Sequence, residues 1–226
     1  ADIQKRFFGH FLKGEDTGWN SQPKVQLQIR RPGEHFEVRG ENEWPLARTQ
    51  WTKVYLEPEK MTLGSTPPVE PVQHTYESMG DGATFFLPAW TDEQEITGPM
   101  AAKLFVSSET ADADLFLVVR LFSADMREVT FKGTLDPNTP LAQGWLRASH
   151  RKLDLEKSKP WQPWHPHDEI QPLVPGEIIE LDIEIWPTCI AVPPGYRIAL
   201  TIRGKDYENP WETTHKLSNM KNVFRG

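Results

Sequence analysis

Between Pro175 and Gly204 the chain reads PGEIIELDIEIWPTCIAVPPGYRIALTIRG, and this stretch constrains the fold more than any other. Ile179, Leu181, Ile183 and Ile185 interleave with Glu180, Asp182 and Glu184. A period of two marks a strand with one face in a core and the other in water. Fully burying such aliphatic side chains contributes about 1.5–3 kcal/mol each, before the cost of ordering them. After Val192-Pro193-Pro194-Gly195 the device repeats, with Tyr196, Ile198, Leu200 and Ile202 alternating against Arg197, Ala199, Thr201 and Arg203. Two prolines without N–H groups cannot continue a central strand. The stretch predicts two strands that share one core across a proline-rich crossover. A β-sandwich is the container that fits.

The rest of the chain agrees. Ile3, Phe7 and Phe11, flanked by Phe8 and Leu12, follow helical spacing from Ala1 to Lys13, and Gly14 supplies a stop. Such a stripe packs either on this domain or on a neighbour, since left free it would be an exposed apolar patch. A polar link, Glu15 to Pro23, leads to Val25, Leu27 and Ile29, the turn Pro32-Gly33, and then Phe36 and Val38, which reads as a hairpin. Strands are expected at Lys53–Leu56, Thr84–Leu87, Lys103–Val106, Leu115–Phe122, Val129–Gly133 and Trp145–Leu153. Between them, Pro58–Gln73 reads as a long surface excursion and Lys157–Pro172 as a Pro- and His-rich loop, while Lys205–Gly226 shows no period. Ten or more strands, one helix and no βαβ alternation give an all-β sandwich or jelly roll.

The 226 residues suffice for a full core, as one large β domain or one domain with extensions. A net charge of −7 argues against nucleic acid as the main partner. No apolar run is long enough for a membrane span, and no signal peptide is visible, so the compartment stays open. The single cysteine, Cys189, allows no internal disulfide and is expected to be a buried, inert thiol. Twenty prolines suit strand-to-strand corners better than helices.

Motifs of chemistry are sparse. The chain has no G-x-S-x-G elbow, P-loop, H-E-x-x-H or paired CxxC. Trp164-His165-Pro166-His167-Asp168-Glu169 offers two histidines beside carboxylates, but surrounding prolines stiffen the loop and no second ligand cluster is spaced to complete a site. The expectation is therefore no metal and no cofactor. Ser149-His150-Arg151 is expected on a strand, where neighbouring side chains point apart and cannot form a nucleophile–base dyad. Trp161, Trp164 and Trp211 lie among loop signals and are the candidate platforms for a sugar ring.

Several stretches together resemble one family. RFFGHFLKGEDTG (Arg6 to Gly18) is similar to the F-x-H-x-L-K-G-x-D-x-G segment that joins the catalytic and C-terminal domains of the CocE/NonD hydrolases, the X-Pro dipeptidyl-peptidase group of α/β-hydrolases. PKVQLQIRR with GENEW-P, TGPMAAKLFVSSETADADLFLVVRLFSAD (Thr97 to Asp125), GWLRASHR, and the stretch from Pro175 resemble that domain's successive core motifs, in order along nearly the whole chain. Tyr196 stands where many members carry histidine. The resemblance implies a galactose-binding-like jelly roll over residues 19–226. It implies that residues 1–18 are a linker helix from an upstream α/β-hydrolase domain. In that family the catalytic triad lies in the upstream domain, so no catalytic residue is assigned here. The implied role is a non-catalytic support for the active-site entrance and for homo-oligomer contacts, in an enzyme cleaving acyl esters or X-Pro peptides. A carbohydrate-binding module is the alternative reading.

Overall fold

The computed structural model describes residues 2–134 and 136–207. Its first element is the expected helix α1 (Asp2–Lys13), stopped by Gly14 at φ 67°, whose N–H reaches the His10 carbonyl while the Glu15 N–H reaches that of Gly9. Glycine adopts this left-handed conformation without steric cost, which satisfies two carbonyls that a helix end otherwise leaves open.

Eleven strands follow among the described residues: β1 (Val25–Arg31), β2 (His35–Glu41), β3 (Tyr55–Glu57), β4 (Thr62–Gly64), β5 (Ala83–Phe86), β6 (Gln94–Val106), β7 (Asp114–Phe122), β8 (Glu128–Val129), β9 (Ala142–Arg147), β10 (Ile179–Val192) and β11 (Arg197–Arg203). They form two sheets of a jelly-roll sandwich. One has the order β2-β1-β10-β6; the other runs β3-β4-β5-β11-β7, with β8 and β9 pairing along the remaining side of β7. The proline-rich break carries the chain from β10 in the first sheet to β11 in the second, as the alternation requires.

The core lies between the sheets. Leu181, Ile183, Ile185, Ile190 and Val192 of β10 meet Leu115, Leu117, Val119 and Leu121 of β7, with Phe85, Ile198 and Ile202 beside them. Leu181 and Ile183 are wholly buried, whereas Glu180 is exposed and Lys103 of the adjacent β6 pairs with it. A smaller cluster of Leu27, Ile29, Leu46 and Ala191 covers part of the outer face of the first sheet.

Several expectations change. First, β11 is not half-solvated: Ala199, Thr201 and Arg203 are buried as well as Ile198 and Ile202. It is a central strand, and its outer face is covered by polar packing. The Thr201 hydroxyl lies 2.9 Å from that of Thr84 and accepts from Arg120 at 3.3 Å; Arg120 grips Glu128 through two hydrogen bonds, and the Tyr207 hydroxyl donates to Glu128 at 2.9 Å. Burial and the neighbouring carboxylate push the Tyr207 phenol well above its ordinary range. Second, β6 begins nine residues before the expected Lys103, at Gln94, and runs through Gly98-Pro99. Proline is tolerated because β6 is an edge strand. Third, β9 ends at Arg147, and Ala148–His150 form a 3₁₀ turn instead of continuing the strand. Asp112 draws the chain out of the sheet by accepting from both the Ser149 N–H and its hydroxyl, at 2.9 and 2.7 Å. Fourth, Cys189 is half-buried instead of buried; burial still pushes its thiol up, which keeps it protonated and unreactive. The excursion at 58–73 also contains a strand, the short β4.

Candidate functional site

A cleft of about 640 Å³ opens where the start of β7, the end of β9 and the loop after the Ala148–His150 turn converge. Its walls include Trp145, Arg147, His150, Trp164, His165 and His167, with Asp114 and Glu184. Each wall has a local cause. Arg147 stands opposite Asp114 in the β7–β9 register and holds it through two hydrogen bonds of 2.7 and 2.8 Å. Gly144 lets β9 approach β10, since a Cβ there would sit 2.2 Å from the Glu184 carbonyl oxygen. The proline-rich loop is pinned at three points: the Gln171 N–H donates to the Ser149 carbonyl at 2.7 Å, the Leu173 N–H to that of Ala111 at 2.8 Å, and Arg151 holds the Ala148 and Gln171 carbonyls.

The histidines serve this loop. His165 spans two carbonyls, with Nδ1 3.1 Å from Lys152 and Nε2 2.9 Å from Asp182, so it ties the loop to β10. Nδ1 of His167 lies 3.2 Å from Nδ1 of His150, a partner 17 residues away that no local motif announces. Asp168 and Glu169 turn toward Lys152, at 3.0 and 3.2 Å, and hold its ammonium above the ordinary lysine range. Among the described residues, no group of three or more His, Cys, Asp or Glu is placed to share a metal ion.

The aromatic candidates divide. Trp161 stacks on Trp51 with centroids 4.5 Å apart and planes 18° apart, so one of its faces is taken. Trp164 is exposed and lines the cleft, with the Lys157 ammonium 5.7 Å from its ring centre. Trp211 lies outside the described residues. Two aromatics escaped the sequence reading, Trp145 and Trp186, which meet edge to face at 4.9 Å. Trp186 continues the outward set of Glu180, Asp182 and Glu184, and the register slip that follows, between Ile185 and Thr188 around Pro187, turns Ile190 and Val192 into the core.

The Ser108 and Ser149 hydroxyls do not face an imidazole. The Ser149 hydroxyl donates to Asp112, and that of Ser108 lies 2.9 Å from the Thr110 hydroxyl. A dyad for acyl transfer needs the nucleophile's proton within reach of an imidazole. His150 is adjacent to Ser149 in sequence, yet its Nδ1 faces His167. The arrangement suits holding a loop and presenting a polar, aromatic surface. Among the described residues it brings no serine hydroxyl into a hydrogen bond with an imidazole.

Comparison with known proteins gives the same picture. A CocE/NonD family hydrolase of Staphylococcus aureus shares the fold with a TM-score of 0.84 and 30% identity, over 91% of this chain and 38% of that one. Cocaine esterase of a Rhodococcus species is 24% identical over 243 residues, covering 91% of this chain and 38% of the esterase. An α-amino acid ester hydrolase shares the fold at a TM-score of 0.61 and 16% identity. The chain thus spans little more than a third of the length of the relatives it matches. Residues 17–222 match the model of one family, and by that match the chain belongs to the X-Pro dipeptidyl-peptidase C-terminal non-catalytic domains.

Proposed function

We propose that this domain supports a serine hydrolase of the CocE/NonD type, one that cleaves acyl esters or X-Pro peptides, by packing against an upstream α/β-hydrolase domain. There it buttresses the entrance to the active site and contributes contacts between subunits. The observation that carries this reading is helix α1. Its stripe faces outward, with Phe11 57% and Leu12 76% exposed, and the 3₁₀ turn at Trp19–Ser21 is its packing partner through Phe7 and Trp19 at 5.2 Å. The family match begins at residue 17, after this helix. A stripe of that kind supports a docking role toward a neighbouring domain.

Acyl transfer requires a nucleophile, a base and donors aimed at the developing oxyanion. Losing any member of such a triad removes most of the rate enhancement. The isolated 226-residue chain is therefore expected to hydrolyse neither short-chain nitrophenyl esters nor X-Pro nitroanilides above the buffer rate. The assay compares it with a variant lacking the hydroxyls of Ser107, Ser108 and Ser149. Turnover that disappears in the variant would place an active site in this domain and overturn the proposal.

A further inference from the structure

We infer that a second pocket, between β1 and β10 of the first sheet, binds a small organic carboxylate with an aromatic body. The inference goes beyond the support role proposed above and stands without it. The pocket has its origin at Pro187. That residue has no N–H to give the ladder, and the register of β10 with β6 skips from Ile185 to Thr188. On its other side β10 pairs in parallel with β1 at Arg30 and Ile190, and the register goes no further. The two strands therefore part beside Gln28 and Thr188, and a pocket of about 470 Å³ opens there. Sites for small ligands are of this size, with mostly apolar walls and a few polar groups that fix orientation.

Its walls carry positive charge that the chain does not pair. Phe36 stands directly opposite Arg30 in the β1–β2 register, so the two side chains share a face. The Arg30 guanidinium lies over the ring of Phe131, 5.5 Å from its centre. That ring is buried, and two backbone hydrogen bonds with Thr139, of 2.9 and 2.8 Å, fix its strand. Stacking orients a guanidinium and leaves its in-plane N–H groups free to donate. Arg31, Arg39, Arg48, Arg120 and Arg147 all hold carboxylates. Among the described residues the Arg30 guanidinium holds none, and neither does the Lys132 ammonium. Glu34 accepts from the Lys132 N–H instead, at 2.9 Å, which ties that residue to the turn after β1. In a chain of net charge −7, two unpaired cations at one pocket favour an anionic ligand. Thr188, 5% exposed, also lines the pocket, and its hydroxyl has no hydrogen-bond partner among the described residues. A buried polar group left in that state points to a missing partner. A carboxylate can take two parallel hydrogen bonds from the guanidinium, and an aromatic body can pack against Phe36 and Trp44, both of them exposed in the lining. An inorganic anion offers the charge without the body.

The test titrates the 226-residue chain with phenylacetate, its neutral counterpart phenylacetamide, and inorganic phosphate. Calorimetry reads the affinity, and the indole N–H resonance of Trp44, identified by its loss in Trp44→Phe, reads the place. Phenylacetate is expected to bind once per chain and to move that resonance. The amide and phosphate each lack one half of the recognition and should bind roughly tenfold more weakly or worse. Arg30→Gln should weaken phenylacetate by a similar factor with unchanged circular dichroism. Lys132→Gln, whose side chain makes no contact that folding needs, should weaken it by a smaller factor and keeps the test decisive if Arg30→Gln disturbs the fold. A blocked tripeptide ending in phenylalanine separates a free acid from a peptide C-terminus, and is expected to bind more weakly than phenylacetate. No binding of phenylacetate, equal binding of the amide or of phosphate, tighter binding of the tripeptide, or an affinity unchanged in both variants would overturn the assignment. None of these outcomes bears on whether the isolated chain turns over substrate, so the two proposals fail separately.

Discussion

Leu181 shows how much a single position carries. It is fully buried between the sheets, and its neighbour Glu180 lies in solvent beside Lys103. Truncating a buried leucine to alanine costs about 2–5 kcal/mol, because the lost transfer energy is joined by a cavity. Leu181→Asp goes further, placing a carboxylate where nothing can solvate or pair it. We expect Leu181→Asp to abolish cooperative unfolding and Glu180→Lys to shift stability by less than about 1 kcal/mol. Thermal melts of the two variants check this, and equal effects would mean the register of β10 is wrong. The alternation made these roles readable from the sequence. The same alternation misled at Ala199, Thr201 and Arg203, because periodicity reports which residues share a face but not what covers it. At Thr201 the cover is Arg120, backed by Glu128 and Tyr207, from positions that no local pattern links to β11.

At the scale of elements, the outer face of the first sheet is held by ion pairs as much as by its small apolar cluster. Arg39 joins β2 to β6 through Glu95, at 2.6 and 2.7 Å, and also holds Glu41, which Arg48 clasps from the following loop. The Arg48 guanidinium, with help from Arg39, depresses the Glu41 carboxyl to about 2 against an ordinary 4.5, and Glu93 and Glu95 are lowered in the same direction by Arg31 and Arg39. A carboxylate whose folded pKa is depressed contributes stability that is complete above its unfolded pKa and is lost as pH falls toward the folded value. The melting temperature is therefore expected to decline between pH 4.5 and about 2, the window that Glu41 defines. Arg48→Ala should flatten that decline by lowering the melt near neutrality toward its acid value, a small loss for a pair with one exposed partner. Parallel slopes in wild type and variant would show that the network does not sense acid. The hairpin that presents these charges was legible from Pro32-Gly33 and its flanking alternation. The pairing of His150 with His167, the slip at Pro187 and the exit of the chain at Asp112 were not, because each depends on residues brought together only by the closed sandwich.

At the scale of the whole molecule, the open question is which surfaces are finished and which await a neighbour. The sandwich buries its core from both sides, yet α1 presents Ile3, Phe8, Phe11 and Leu12 to solvent. The helix keeps its place through its own linker: Arg6 donates to the Thr17 and Gly18 carbonyls at 3.0 and 3.1 Å, and the Thr17 hydroxyl returns a bond to the Arg6 carbonyl at 2.9 Å. It is thus positioned without being covered. Phe11→Ser with Leu12→Ser removes apolar surface that the isolated chain does not bury, so its melting should move by no more than the roughly 0.5 kcal/mol per site typical of surface changes. Binding of an apolar dye to that chain should fall. In a polypeptide that includes the proposed hydrolase domain, the same substitutions remove burial worth about 1.5–3 kcal/mol per side chain. Stability there should drop accordingly. The ratio between the two losses is the measurement that matters. A pair of substitutions that destabilises the isolated chain as much as the longer protein would show that α1 packs on the sandwich itself, and the docking role would pass from the helix to another surface.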